Sequence, residues 1–274
     1  MKENTIPSDF IWRRLHSLSG IWLVVFIIFH LLTNSQAALP FGGDGNGFIK
    51  SVNSIHDLPF LPIIEIAILA FPILIHMIWG IKYLRSAEYN SFGNTGHTPY
   101  LPEYPRNRAY TWQRITSWLL ILGVVGHIVH MRFIEYPIPT MQGQQHSYMV
   151  RVSLDDGIYS LADRLGVKLY TEKEGQTIKP GEAIAVADSF GTAELLMVRD
   201  TFKMPLMLAL YTLFVLTACF HGFNGLWTSM ITWGITLTAR SQRLMRYVTM
   251  TLMGIVTFLG LSAIWLTYWV NLKS

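Results

Sequence analysis

Residues 15–43 read LHSLSGIWLVVFIIFHLLTNSQAALPFGG and contain no Asp, Glu, Lys or Arg. A bilayer core takes about 20 apolar residues in a helix, so this run is long enough to cross a membrane, and it carries His30 near its centre. The same texture recurs four times. Leu58–Ile81 has Glu65 as its sole acidic or basic residue, and 115–131, 204–239 and 247–272 have none. The chain is 51% hydrophobic and 14% charged, but it is the gathering of apolar residues into blocks that decides the fold class. It predicts an all-α membrane protein with five transmembrane helices at about 16–36, 59–82, 112–132, 204–228 and 246–271, forming one bundle in a single membrane domain. Tyr110 and Trp112 extend the short third span as interfacial aromatics.

Composition excludes several classes. The sole cysteine, Cys219, lies in the fourth apolar block, so there is neither a disulfide framework nor a cysteine cluster for zinc or iron–sulfur binding. The formal charge of +4 does not point to nucleic acid, because the basic residues track the helix ends. Residues 1–39 read as a span rather than a cleaved leader, since the region before the apolar run is long and mixed in charge and the run exceeds a signal-peptide core.

The charges also orient the bundle. With five alternating spans, one set of connections carries Lys2, Arg13, Arg14, Lys82, Arg85, Arg106, Arg108, Arg114, Arg240, Arg243 and Arg246, and the other Lys50 and Lys273. The long segment 132–203 counts little in this comparison. The positive-inside rule then puts the N-terminus in the cytoplasm and segment 135–203 outside the cytoplasmic membrane, as an extracytoplasmic insertion between the third and fourth helices.

Four histidines, His30, His76, His127 and His221, lie in four different spans. On this topology His30 is roughly 22 Å from the inner end of its helix and His127 roughly 20 Å, at 1.5 Å per residue. His76 is roughly 9 Å from the inner end of its helix by the same rise, and His221 stands at a similar depth relative to Trp227. The depths pair His30 with His127 and His76 with His221. A single histidine in a membrane helix is well explained by a bond to a neighbouring helix. Four, matched two by two, fit axial ligation of two haems, which relieves the cost of imidazole in hydrocarbon and fixes its tautomer through the other ring nitrogen. Zinc instead wants ligands converging on one point. Two histidines per iron leave no open position, so electron transfer is the expected task. Gly126, Gly222 and Gly225 beside the ligands suit a porphyrin, and equally suit plain helix packing. His130, three residues after His127, is a rival ligand. His56, His97 and His146 read as solvated loop residues.

Several stretches are also similar to a known family. They are Arg13-Arg14-Leu15-His16-Ser17, His30-Leu31-Leu32-Thr33-Asn34, Asp57-Leu58-Pro59-Phe60, His76-Met77-Ile78-Trp79-Gly80, Gln113-Arg114-Ile115-Thr116 and HGFNGLWTSMITWGITLTARSQR from His221 to Arg243. Together they resemble the single-polypeptide, two-haem cytochrome b subunit of bacterial succinate dehydrogenases, related to quinol:fumarate reductases. The resemblance implies a five-helix anchor for a flavoprotein subunit and an iron–sulfur subunit on the cytoplasmic side. It also implies two haem b groups at the four histidines, and a quinone, menaquinone, as substrate. The pattern is departed from at 135–203, where Lys179-Pro180-Gly181 turn chemistry between Val/Ile-containing runs suggests a small β-rich cap.

Arg13, Arg14, His16 and Arg114 are candidate haem-propionate contacts, with topology-setting surface charge as the plain alternative. Glu65, an intramembrane carboxylate, is a candidate proton relay for quinone, or a structural carboxylate bonded to a neighbouring helix. Asp57 and His56 are further candidates. Nothing resembles a dinucleotide or flavin motif. Competing readings are the reverse, fumarate-reducing direction, a haem-free transport or assembly protein, and the cytochrome b of a hydrogenase or formate dehydrogenase.

Overall fold

A computed structural model describes residues 6–39, 43–86, 88–92, 100–171 and 178–273. Among the described residues five helices are long and apolar enough to cross a membrane, and the chain is an all-α membrane protein in its spanning part. The first span is α1 (Ser8–Ser35). A short helix, α2 (Asn46–His56), follows and buries Phe48; it falls in a stretch with no separate element expected, being too short for a hydropathy signal. The second span, Leu61–Arg85, consists of α3 (Leu61–Glu65), a π turn over Ile66–Ala70 and α4 (Phe71–Arg85). Pro72 accounts for the π turn. Proline has no N–H to donate and its ring clashes with the carbonyl four residues back, here Ile68, and that carbonyl accepts instead from Trp22 Nε1 at 2.7 Å.

The third span is α5 (Pro105–Ile128) continued by a π turn, Val129–Ile134. In the most apolar stretches of the second and third spans no residue is buried, and Leu122 is 74% exposed. Such faces are unfavourable in water and suited to lipid.

Residues 138–203 form a small α/β unit. The strands β1 (Ile138–Gln142) and β2 (Gln145–Ser153) make a hairpin whose two-residue turn needs Gly143 at φ 61. After α6 (Ile158–Arg164) come β3 (Lys168–Tyr170), β4 (Glu182–Ala187) and α7 (Phe190–Lys203). The antiparallel sheet has the order β1-β2-β4-β3. Lys179-Pro180-Gly181 makes the turn into β4, with the Glu182 N–H donating to the Lys179 carbonyl. Val150 and Val152 on β2 and Ala183, Ala185 and Ala187 on β4 are buried, as are Leu195 and Leu196 of α7. Alanine on β4 lets the helix lie close to the sheet. Ser189 caps α7 by accepting the Thr192 N–H.

The fourth and fifth spans are α8 (Pro205–Thr232) and α9 (Ala239–Trp265). Thr238 and Ser241 exchange side-chain and backbone bonds at the start of α9, a reciprocal cap. The contacts gather into two compact units: one of residues up to Ile28, Pro62–Gly123 and Leu216–Ile255, and one of Phe29–Leu61, Val124–Val215 and Val256 onward.

Candidate functional site

Each unit holds one pair of the intramembrane histidines. In the first, His76 of α4 faces His221 of α8 with ring centroids 6.2 Å apart and the planes at 83°. His76 Nδ1 lies 3.0 Å from the His16 carbonyl oxygen. A carbonyl can only accept, so Nδ1 carries the proton and Nε2 keeps its lone pair. His221 is set the same way. Its Nδ1 is 3.3 Å from Thr116 Oγ1, whose own hydrogen goes to the Trp112 carbonyl at 2.8 Å, so the hydroxyl oxygen accepts from the ring. Around this pair, Gln113 Nε2 donates to the His221 carbonyl at 3.0 Å, and Asn224 Nδ2 donates to Gln113 Oε1 at 2.6 Å. These bonds tie α5 to α8 beside His221. Gln113 belongs to a quoted motif, but its anchoring part was not expected.

His16 joins this pair. Its ring stacks on His76 at 4.1 Å and 11°, and its Nδ1 is buried without a hydrogen-bond partner. Gly20 makes room for the His76 ring, since a Cβ there would lie 2.8 Å from His76 Cε1.

In the second unit, His30 of α1 and His127 of α5 have centroids 5.9 Å apart at 74°. The Asn34 side-chain amide faces His30 Nδ1 at 3.5 Å. The Tyr211 hydroxyl stands 3.4 Å from His127 Nδ1 and 3.0 Å from His130 Nδ1. His130 thus shares a partner with His127, whereas the ring facing His30 is that of His127.

Both spacings fit a single metal ion between two imidazoles. Two metal–nitrogen bonds of about 2 Å each, the length seen with a first-row ion, plus two ring radii place the centroids roughly 6 Å apart. Among the described residues no three His, Cys, Asp or Glu side chains converge as a metal site; the histidine groupings suited to an ion are pairs.

The glycines divide. A Cβ at Gly222 would be 3.3 Å from Val24 Cγ2 and one at Gly225 3.2 Å from Gln113 Nε2, so both serve close helix packing. A Cβ at Gly126 meets nothing within 4 Å. Of the propionate candidates, Arg14 donates to the Thr232 carbonyl and lies over Trp233. Arg114 donates to the Tyr110 carbonyl and lies over that ring. Arg13 is exposed.

Glu65 is half-buried at the head of the π turn in the second span. Asp57 is exposed, just after α2. The solvated-loop reading of His56 is corrected. It ends α2, stacks on Phe190 at 3.9 Å and 7°, and places Nε2 3.2 Å from the Tyr148 hydroxyl. The aromatic face of α7 and β2 covers it, which hydropathy along the chain does not register. His146 is exposed as expected but on β2 rather than in a loop. His97 lies outside the described residues.

The chain is 27% identical over 257 residues to the succinate dehydrogenase cytochrome b558 subunit of Bacillus subtilis (strain 168), which covers 93% of this chain and 96% of that relative. No family model matches, and no solved structure matches. Likeness over nearly the whole of both chains bears out the resemblance drawn from the motifs.

Proposed function

We propose that this relative of a succinate dehydrogenase cytochrome b subunit is itself the membrane anchor of such an enzyme. It carries electrons from an iron–sulfur subunit to menaquinone through two haems b, one between His30 and His127 and one between His76 and His221. The observation that supports this most is the pair of facing imidazoles, 5.9 and 6.2 Å apart. In the second of these pairs, bonds at Nδ1 leave each Nε2 free to ligate. These four histidines would hold the two groups, and a haem held between two imidazoles would supply one-electron transfer.

The protein's part is to hold the rings. The His16 carbonyl and Thr116 fix the His76 and His221 tautomers, while the Gln113–Asn224 bonds fix the backbone beneath His221. His16 and the arginines Arg13, Arg14 and Arg114 are the propionate candidates. Of these Arg13 has the least to release, since Arg14 and Arg114 already bond to backbone carbonyls. The flavoprotein and iron–sulfur partners dock at the cytoplasmic side, which the basic connections assign to the N-terminus. Glu65 is the proton-handling candidate for quinone. A half-buried carboxylate beside a π turn is a familiar setting for function.

A reduced-minus-oxidised spectrum with redox titration of the membrane complex tests this. Two b-type haems of distinct potential, both reducible by succinate, are expected. One haem or none, or haems that succinate leaves oxidised, would sink the proposal.

A further inference from the structure

His127 and His130 converge on one phenol in the second unit, and hydrogen counting gives that phenol a defined task. The Tyr211 hydroxyl has one hydrogen and accepts through its lone pairs. An imidazole that ligates through Nε2 keeps its proton on Nδ1, so His127 donates to the Tyr211 oxygen across 3.4 Å. The hydroxyl hydrogen is then directed to His130 Nδ1, 3.0 Å away, which makes His130 an acceptor at Nδ1 with its proton on Nε2. One bond in and one bond out fix the rotation of the hydroxyl.

The ring itself is held. Phe202 of α7 meets Tyr211 edge-on at 5.3 Å and 82°, and Phe214, one turn along α8, at 6.3 Å and 83°. Tyr211 also meets the His127 ring edge-on at 5.8 Å, and Phe214 lies against that ring at 5.6 Å. The phenol is positioned by α7 and α8, and through it α8 reaches a ligand carried by α5.

We propose that Tyr211 is the positioning residue of His127, an acceptor that orients the imidazole and sets the electronic character of the metal bound to it, with His130 as the outer support of that acceptor. This rests on the two-haem reading above. A ligand whose Nδ1–H is bonded to an acceptor is more basic and favours the oxidised metal. Loss of the acceptor therefore raises the midpoint potential of one haem.

The test is Tyr211→Phe in the whole membrane complex, read by redox titration and low-temperature electron paramagnetic resonance of both haems. Retention of two haems is expected, with one midpoint raised, the g values of that same haem moved and those of the other unchanged. His130→Ala is the second variant. It keeps both haems and alters the potential of that same haem, because the hydroxyl loses the partner that fixes its rotation. Unchanged potentials and g values in Tyr211→Phe overturn the inference, as does an equal displacement of both haems, which marks general loosening. Loss of a haem in His130→Ala together with retention of two in His127→Ala makes His130 the ligand and overturns it as well. Fewer than two haems in the unaltered complex instead brings down the functional reading on which it stands.

Discussion

At Gly20 a single missing methyl group governs a ring in another helix. With its Cβ 2.8 Å from His76 Cε1, Gly20→Ala must move an imidazole that is also bonded to the His16 carbonyl and stacked on the His16 ring. Overpacking of this kind costs about 1–3 kcal/mol, and here the strain falls on the His76 imidazole. The expected outcome is a changed spectrum or lowered occupancy for the haem at His76 and His221, with the other haem intact, seen by resonance spectroscopy of the purified complex. An unaltered spectrum would show that the ring yields freely. In the sequence Gly20 was silent, since a glycine in an apolar run looks like any packing residue. Tyr211 was silent for a different reason: a phenol among leucines scores as apolar, although its hydroxyl is a polar group at membrane depth that needs a partner as surely as an imidazole does. The signal for it was the hydroxyl itself.

At the scale of elements, α7 and the turn before α6 are joined by a buried charge. The Arg199 side chain is fully buried and pairs with both Asp155 oxygens, at 2.9 and 3.0 Å. Lys203 adds a third bond to Asp155 at 2.7 Å. Burial disfavours the Asp155 carboxylate, but the bonds and charges of Arg199 and Lys203 outweigh it and hold the group at about 2. A depressed carboxylate contributes its stability above the unfolded value, 3.8, and loses it as pH falls from there through about 2. Thermal unfolding of the detergent-solubilised protein should accordingly be insensitive to this group between pH 5 and 7 and should weaken below about 4. Asp155→Asn leaves the guanidinium buried against a neutral partner. Removing one member of a buried pair typically costs about 3–5 kcal/mol, so this variant is expected to unfold earlier at pH 7 and to lose the acid step. An unshifted melting curve would refute the account. Of this unit the sequence showed the turn at Lys179-Pro180-Gly181 and the Val/Ile-containing runs around it, which suggested β structure without placing a strand. The strands are short, β4 is largely alanine, and the residues that hold α7 against β2 are far apart in the chain.

For the molecule as a whole, the spans were legible because lipid demands long uninterrupted apolar runs, a demand that needs no tertiary information. The four histidines were legible because few side chains are so costly there. The groups at their Nδ1 atoms, the His16 carbonyl and the hydroxyls of Thr116 and Tyr211, were not, since a backbone carbonyl or a hydroxyl has no sequence signature. The proposed orientation has an energetic corollary. Electrons passing from a cytoplasmic iron–sulfur partner toward the outer side move to the positive side of the membrane, worth roughly 4–5 kcal/mol for two electrons per 100 mV. Succinate-to-quinone turnover in intact cells is expected to slow when an uncoupler collapses the potential, while succinate oxidation by an artificial acceptor at the cytoplasmic face holds its rate. Equal rates of quinone reduction with and without the uncoupler would count against the orientation.

Arg199 also bears on the order in which the protein is made. Its Nε donates to the Leu272 carbonyl at 2.6 Å, and Asn271 Nδ2 donates to the Ala37 carbonyl at 2.7 Å. The ribosome delivers Arg199 some seventy residues before that acceptor exists. Until the fifth span has been threaded into the bilayer, the guanidinium lacks one of its buried partners and the loop after the first span lacks its own tie. The unit built on residues 138–203 is therefore completed only after the fifth span has been made, and a nascent chain stalled before Leu272 should remain open to protease at α7.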